Sequence, residues 1–213
     1  MRALVVAKAP VPGRVKTRLG AVIGMETAAR VAAAALLDTI GACRDAFDEW
    51  HLALDGDLRG ACSEDALRDQ LTGWRIHAQR GGSLGQRLAR AHADAAGPGP
   101  TVQIGMDTPQ VTAGDLRQVA RASEDGNAVL GPAGDGGWWV LALRDPGAAE
   151  GLTGVRMSQS DTHRSTQKVL ERAGLHVVPA RMLRDVDTVS DADDVVGSVV
   201  DGNFRRAWRE AAR

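Results

Sequence analysis

The sequence predicts an α/β fold: a mostly parallel sheet covered by helices on both faces, in three α/β/α layers. Two observations carry this expectation. Short β-rich apolar runs alternate with segments of helical period along nearly the whole chain. The residue types suited to chemistry also cluster in the loops that follow those apolar runs, where parallel sheets bind ligands. The length of 213 residues suits one domain over 1–213.

The elements follow in order. RALVVA (2–7) reads as a buried strand, and AKAPVPGRVKTRLG (7–20) as the loop after it. Residues 25–43 form a helix, with Met25, Ala29, Ala32, Leu36 and Ile40 on one face. WHLALD (50–55) is a strand, SEDALRDQL (63–71) a short helix with Ser63 as its N-cap, and WRIHAQ (74–79) a third strand. A glycine-rich turn (80–86) leads into a helix over 84–96, which GPGP (97–100) breaks. A strand over 101–106 and a helix over 112–123 come next, then strands at 127–132 and 138–143. A helix over 160–173, a strand over 175–180, and helices over 191–200 and 203–213 complete the chain.

Composition excludes several classes. Charged residues make up 25% and the formal net charge is −1, so bulk attraction to nucleic acid or a membrane surface is not expected. No apolar run approaches the roughly 20 residues needed to span a bilayer. The opening MRALVVAKAP is interrupted by Lys8 and Pro10 and does not resemble a signal peptide. The two cysteines, Cys43 and Cys62, read as reduced thiols without metal spacing, and a cytoplasmic location is expected. Oligomeric state is open between monomer and homodimer. No GxSxG and no zinc-type histidine spacing occurs.

Four stretches hold the candidate chemistry. The first loop carries Lys8, Arg14, Lys16 and Arg18, yet the first acid of the chain is Glu26. Only three of the 26 cationic residues are lysines, and two of them sit here. A mobile point charge after the first strand suits a phosphate. The loop has neither a GxxxxGK[ST] pattern nor a GxGxxG pattern. In GMDTP (105–109), Asp107 closes the fourth strand, either as a metal ligand over a phosphate or as an ordinary turn residue. In GPAGDGGWW (131–139), Gly134, Gly136 and Gly137 surround Asp135, which suits either backbone approach to a ligand or a loose hairpin. Trp138 and Trp139 face opposite sides, so that either one enters the core and the other walls a pocket, or both are packing residues. In DVDT (185–188), the acids either mark a solvated helix start or let Asp187 join Asp107 as a two-carboxylate Mg²⁺ site, and Ser190 is the candidate cap of the next helix. The turn RGGSLGQRL (80–88) places Gly82, Ser83 and Gly85 where backbone donors could hold a base or second substrate, or merely open a helix.

Taken together, AKAPVPGRVKTRLG, GGSLGQRL, GMDTP, GPAGDGGWWVLAL and DVDT resemble the bacterial glycosyltransferase-A-like proteins once grouped as a domain of unknown function. That group is related to the guanylyltransferases acting on 2-phospho-L-lactate or phosphoenolpyruvate, and more distantly to molybdenum cofactor guanylyltransferase. The resemblance covers about residues 2–196. It implies a Rossmann-like nucleotide-diphospho-sugar transferase fold of seven or so strands. It implies that Lys16 and Arg18, with Arg14 and Lys8, meet a nucleotide's phosphates, and that Asp107 and Asp187 hold Mg²⁺ or Mn²⁺. The 134–138 segment would approach the second substrate, and Gly82, Ser83 and Gly85 would lie near the nucleotide. The expected activity is transfer of a nucleoside monophosphate from an NTP to a small phosphorylated or carboxylated acceptor, with Lys16, Arg18 and Asp107 as catalytic residues. The alternatives are glycosyl transfer from a nucleotide sugar and a non-catalytic nucleotide-binding module.

Overall fold

A computed structural model describes residues 1–211. Seven strands form one sheet: β1 (Arg2–Lys8), β2 (Glu49–Asp55), β3 (Arg75–Ala78), β4 (Thr101–Ile104), β5 (Ala128–Pro132), β6 (Trp138–Leu143) and β7 (Val177–Pro179). Their spatial order is β3-β2-β1-β4-β6-β5-β7. All neighbours run parallel except β6, which is antiparallel to both β4 and β5. The expected mostly parallel mixed sheet is therefore present. β6 breaks the pattern because the β5–β6 connection holds no helix, and a short link can only return antiparallel.

The helices are α1 (Thr17–Ile23), α2 (Met25–Ala46), α3 (Glu64–Gln70), α4 (Leu84–Asp94), α5 (Ala113–Ala122), α6 (Thr162–Arg172), α7 (Val189–Val196) and α8 (Asn203–Ala211), with a 3₁₀ segment over Pro146–Gly154. Helix α2 packs Ala29, Ala32, Leu36 and Ile40 against Val5, Leu52 and Ile104 of the sheet. A second apolar cluster joins Ala28, Val31 and Ala35 of α2 to Phe204 and Trp208 of α8. The opposite layer is α4 with the 3₁₀ segment, where Leu88, Ala149 and Leu152 pack with Leu130 and Leu141. No helix among the described residues is long and apolar enough to cross a membrane.

Several local expectations need correction. Helix α1 begins inside the stretch read as the first loop and runs three residues past it, and the 3₁₀ segment had no expected counterpart. Ser63 has φ 56° and makes no side-chain capping bond. Helix α7 is capped by Thr188, not Ser190: Thr188 Oγ1 accepts from Asp191 N–H, and Asp191 Oδ2 accepts from Thr188 N–H. Strand β4 ends at Ile104, three residues before Asp107. Met25 is exposed, off the packed face of α2. The tail helix agrees through Ala211, and residues 212–213 of that expectation lie outside the described residues.

Strand order places the site. The chain runs from β1 outward to β2 and β3, then returns to lay β4 on the other side of β1. The loops leaving β1 and β4 therefore part at their carboxyl ends and open a crevice, the switch point of a doubly wound sheet. The loops after β5 and β7 emerge at the same edge, since both strands run parallel to β4.

Candidate functional site

The cationic loop leaves β1 at Lys8 and turns back at Arg14, whose N–H bonds the Val11 carbonyl at 3.0 Å. Lys16 precedes α1 with φ 48°, a left-handed conformation uncommon outside glycine. From there its side chain, only 8% exposed, runs between two carboxylates. Nζ lies 2.8 Å from Asp107 Oδ2 and 2.7 Å from Asp187 Oδ1. Burial alone would lower the Lys16 pKa; the two carboxylates outweigh it and hold the ammonium above its ordinary value. Arg18 donates from Nη2 to the other oxygen of Asp187.

Both carboxylates are fixed from behind. Val186 N–H donates to the Asp107 carbonyl at 2.9 Å, tying the post-β4 loop to the segment that carries Asp187. Gln110 Nε2 donates to the Arg184 carbonyl at 2.6 Å, a second tie between these segments. The Thr188–Asp191 capping box then locks the residue after Asp187. Asp107 Oδ1 is buried without a hydrogen-bond partner. Two carboxylates converging on one cation, one of them with an idle buried oxygen, suit a small divalent ion, which takes one or two protein carboxylates and completes its shell with phosphate and water. No group of three or more His, Cys, Asp or Glu that could hold a metal ion occurs among the described residues.

On one side of this pair lies a hollow of about 360 Å³. Lys8, Arg14, Lys16, Arg18 and Arg87 line it, with Gln79, Asp55, Asp107 and Asp187. All four cations singled out in the sequence meet here. Asp55 steadies two of the five, at 3.8 Å from Lys8 Nζ and 3.1 Å from Arg87 Nη1. Arg87 was not among the sequence candidates. It sits one turn after the α4 cap, at a position that any exposed helix arginine could occupy.

On the other side lies a cavity of about 300 Å³ that shares Asp107 and Asp187. Asp135, Gly137 and Trp138 line it, as expected, along with Asp185 and the less expected Gln103 and Thr108. Trp138 is half-buried and donates from Nε1 to Thr166 Oγ1 at 3.1 Å. Trp139 belongs to the core and donates to the Arg181 carbonyl at 2.8 Å, but it too lines the cavity, so both tryptophans contribute to its wall. Burial and the nearby Asp135 charge push the Asp185 pKa up to about 6. No Lys, Arg or His lines this cavity. For the phosphorylated or carboxylated acceptor expected from sequence, the counter-charge in this cavity would have to come from a metal held by Asp107 and Asp187.

Five expected site residues line neither space. Gly82 and Ser83 both donate their N–H to Gln86 Oε1, and Ser83 Oγ accepts from Gln86 N–H, so these groups form the entry of α4. Gly85 is a packing residue: a Cβ there would meet the Leu152 carbonyl oxygen at 2.1 Å. Gly134 N–H bonds the Leu183 carbonyl, and Gly136, at φ +89°, accepts from His163 N–H. Those two glycines shape the loop that presents Asp135 without lining the cavity.

This sheet order and edge crevice define the nucleotide-diphospho-sugar transferase type of α/β fold. A family model described as "Uncharacterized protein conserved in bacteria (DUF2064)" matches residues 39–159, more than half of the chain, and the chain belongs to that family. A protein from Desulfovibrio desulfuricans G20, provisionally described as a nucleotide-diphospho-sugar transferase, is 26% identical, with a TM-score of 0.82 over 98% of this chain and 92% of that one. A nucleotidyl transferase from Methanothermobacter thermautotroptrophicus, Mth528, is 18% identical, with a TM-score of 0.60 over 97% and 98% of the two chains. Rv0371c from Mycobacterium tuberculosis H37Rv, in complex with manganese, is 20% identical, with a TM-score of 0.52 over 93% and 99%. At such identities the last two establish likeness of fold alone. No curated protein sequence matches this chain.

Proposed function

We propose that this protein is a divalent-metal-dependent transferase acting on a nucleotide donor, with nucleotidyl transfer as the favoured reaction. One observation carries the reading: five cations line a hollow that opens against a fixed pair of carboxylates at the sheet's switch point. Five cations against three acids leave the hollow net positive, and a divalent ion on Asp107 and Asp187 would bring that excess up to about the charge of a triphosphate. The relatives described as nucleotidyl and nucleotide-diphospho-sugar transferases, and the manganese bound to one similar structure, support it.

In this reading Lys8, Arg14, Lys16, Arg18 and Arg87 hold the phosphates, and Asp107 and Asp187 hold Mg²⁺ or Mn²⁺. The metal would supply charge neutralisation at the phosphates. Lys16 and Arg18 offset charge that grows on the leaving group, and this differential stabilisation lowers the barrier. An acceptor oxygen forms a bond to the α-phosphorus as the bond to the β-phosphate's bridging oxygen breaks. Pyrophosphate leaves, and a hydroxyl acceptor gives its proton to water. The 1–213 chain acts as one domain.

Glycosyl transfer from a nucleotide sugar is the second reading, favoured by the cation-free, acidic cavity beside the hollow. Products separate the two: purified protein with Mg²⁺ or Mn²⁺, the four NTPs and common nucleotide sugars should release pyrophosphate in the first case and nucleoside diphosphate in the second. Tight nucleotide binding with neither product across a broad acceptor panel would contradict both.

A further inference from the structure

We infer that the cavity lined by Asp135, Asp185, Thr108 and Trp138 takes an uncharged polyhydroxyl group, a sugar or polyol, and discriminates against the same molecule bearing a phosphate or carboxylate. This rests on the transferase reading and names the chemical class of its second site.

The charges decide the first half. Asp107 and Asp187 have a counter-ion in Lys16, and a bound metal would take its place. Asp135 and Asp185 make no ion pair among the described residues, although the Lys16 charge acts on Asp185, and Asp135 Oδ1 accepts the Gly137 N–H at 2.7 Å. An anion entering the cavity would face two carboxylates without an ion-pair partner, and the half-buried Asp185 would repel it more than the exposed Asp135. Carboxylates without cations are instead good acceptors for hydroxyl hydrogens.

The second half comes from groups that need partners. Thr108 is only 2% exposed, lines the cavity, and its Oγ1 has no hydrogen-bond partner. A buried idle hydroxyl calls for an explanation, and a ligand that both donates and accepts supplies one. Gln103, 3% exposed and also lining the cavity, uses Oε1 to accept from His92 Nε2 at 3.0 Å, which leaves its amide hydrogens outside that bond. The cavity thus presents acceptors from Asp135 and Asp185 beside a donor–acceptor hydroxyl and an amide. An ammonium ion only donates, whereas each hydroxyl of a polyol does both. Trp138, Leu84, Leu88 and Met157 add an apolar wall for the C–H face of such a molecule. The volume of about 300 Å³ lies at the small end of ligand sites.

Two sources could bring this group: a free polyol, or the glycosyl part of a nucleotide sugar. Binding can be followed by tryptophan fluorescence of the full chain with Mg²⁺, using Trp138→Phe to assign the signal. One arm titrates free monosaccharides and polyols, each against its own monophosphate ester. The other compares each nucleoside diphosphate with its nucleotide sugar. At least one neutral ligand should bind 10-fold or more tighter than its phosphate ester, or one nucleotide sugar 10-fold or more tighter than its nucleoside diphosphate. The double variant Asp135→Asn with Asp185→Asn should bring a neutral ligand and its phosphate ester to within about threefold, or the nucleotide-sugar preference down by a similar factor. Neither carboxylate has a charged partner, and Asn at 135 keeps the bond from Gly137, so the variant should fold; its circular dichroism and melting curve check this. Phosphate esters or amines bound more tightly than every neutral ligand and glycosyl group, or unchanged discrimination in the folded double variant, would overturn the inference. Nucleotide binding is read separately by thermal shift. Nucleotides that bind without any polyol or glycosyl preference would sink this inference and leave the transferase reading standing. Polyol binding without nucleotide binding would do the reverse.

Discussion

Lys16 bridges the two carboxylates proposed to hold a metal: its Nζ lies 2.8 Å from Asp107 Oδ2 and 2.7 Å from Asp187 Oδ1. The ammonium satisfies two carboxylates that would otherwise repel each other. In the proposed reading, metal binding at this pair and the Lys16 contact would compete, and phosphates in the neighbouring hollow would give Lys16 somewhere else to go. Lys16→Met should bind Mn²⁺ more tightly than the wild type when no nucleotide is present, measured by calorimetric titration. The same variant should melt several degrees lower without metal and recover on adding Mn²⁺. Its turnover should fall by about 10²–10³-fold, the usual cost of losing one preorganised charge-stabilising group. Unchanged Mn²⁺ affinity would show that Lys16 and the metal do not share the site.

Arg87 offers a subtler test. It reaches Asp55 at 3.1 Å and shares the hollow with the loop cations. Arg87→Gln should weaken triphosphate binding and leave the fold intact, because the pair it loses is partly solvated and worth about 1 kcal/mol or less. Weakening should be larger for a triphosphate than for a monophosphate, as read by thermal shift over a mono-, di- and triphosphate series.

His92 makes stability depend on pH. Its ring is fully buried, and desolvation lowers its pKa from 6.5 to about 4. The fold holds it neutral, so below pH 6.5 the unfolded chain takes up a proton that the folded chain refuses. The contribution is complete above pH 6.5 and is lost progressively as pH falls toward 4. At pH 5 the loss is about 2 kcal/mol. Urea unfolding at pH 7.5 and 5 should show that difference in the wild type and a correspondingly smaller one in His92→Leu, even though the variant is less stable at both.

Gly136 cannot carry a side chain. A Cβ would lie 2.2 Å from the Ser160 carbonyl oxygen, and φ is +89°. Gly136→Ala should destabilise the protein by about 2–3 kcal/mol, combining backbone strain with overpacking. It should also displace Asp135 from the cavity, seen as lost discrimination between neutral and phosphorylated ligands.

Much of this site was legible in the sequence because it depends on order along the chain. Alternating apolar runs and helical segments announced the parallel sheet, and its carboxyl edge collects Lys16, Asp107, Asp135 and Asp187 whatever the details. The missing helix between the runs at 127–132 and 138–143 also agrees with the antiparallel β6. Other features were hidden by their dependence on packing. TRLGAVI (17–23) is too short for a periodic signal, so α1 disappeared into the loop before it. Gly82, Ser83 and Gly85 resembled ligand-binding residues, but their donors and space are consumed by Gln86 and Leu152. Gln103 reads as an ordinary strand residue, and only its packing beside His92 brings it to the cavity. That Asp135 and Asp185 make no ion pair among the described residues is a fact of three dimensions, since Arg184 stands next to Asp185 in the chain yet pairs with Asp191 and Asp194.

The most direct test of the central claim is calorimetric titration of each nucleoside triphosphate into wild-type and Asp107→Ala protein, with and without Mg²⁺ or Mn²⁺. Binding of at least one triphosphate should tighten by 10-fold or more with metal, and that gain should vanish in a folded Asp107→Ala variant. Binding equally strong without metal, or a metal-dependent gain that survives in Asp107→Ala, would contradict the assignment of Asp107 and Asp187 as the centre that joins nucleotide to metal.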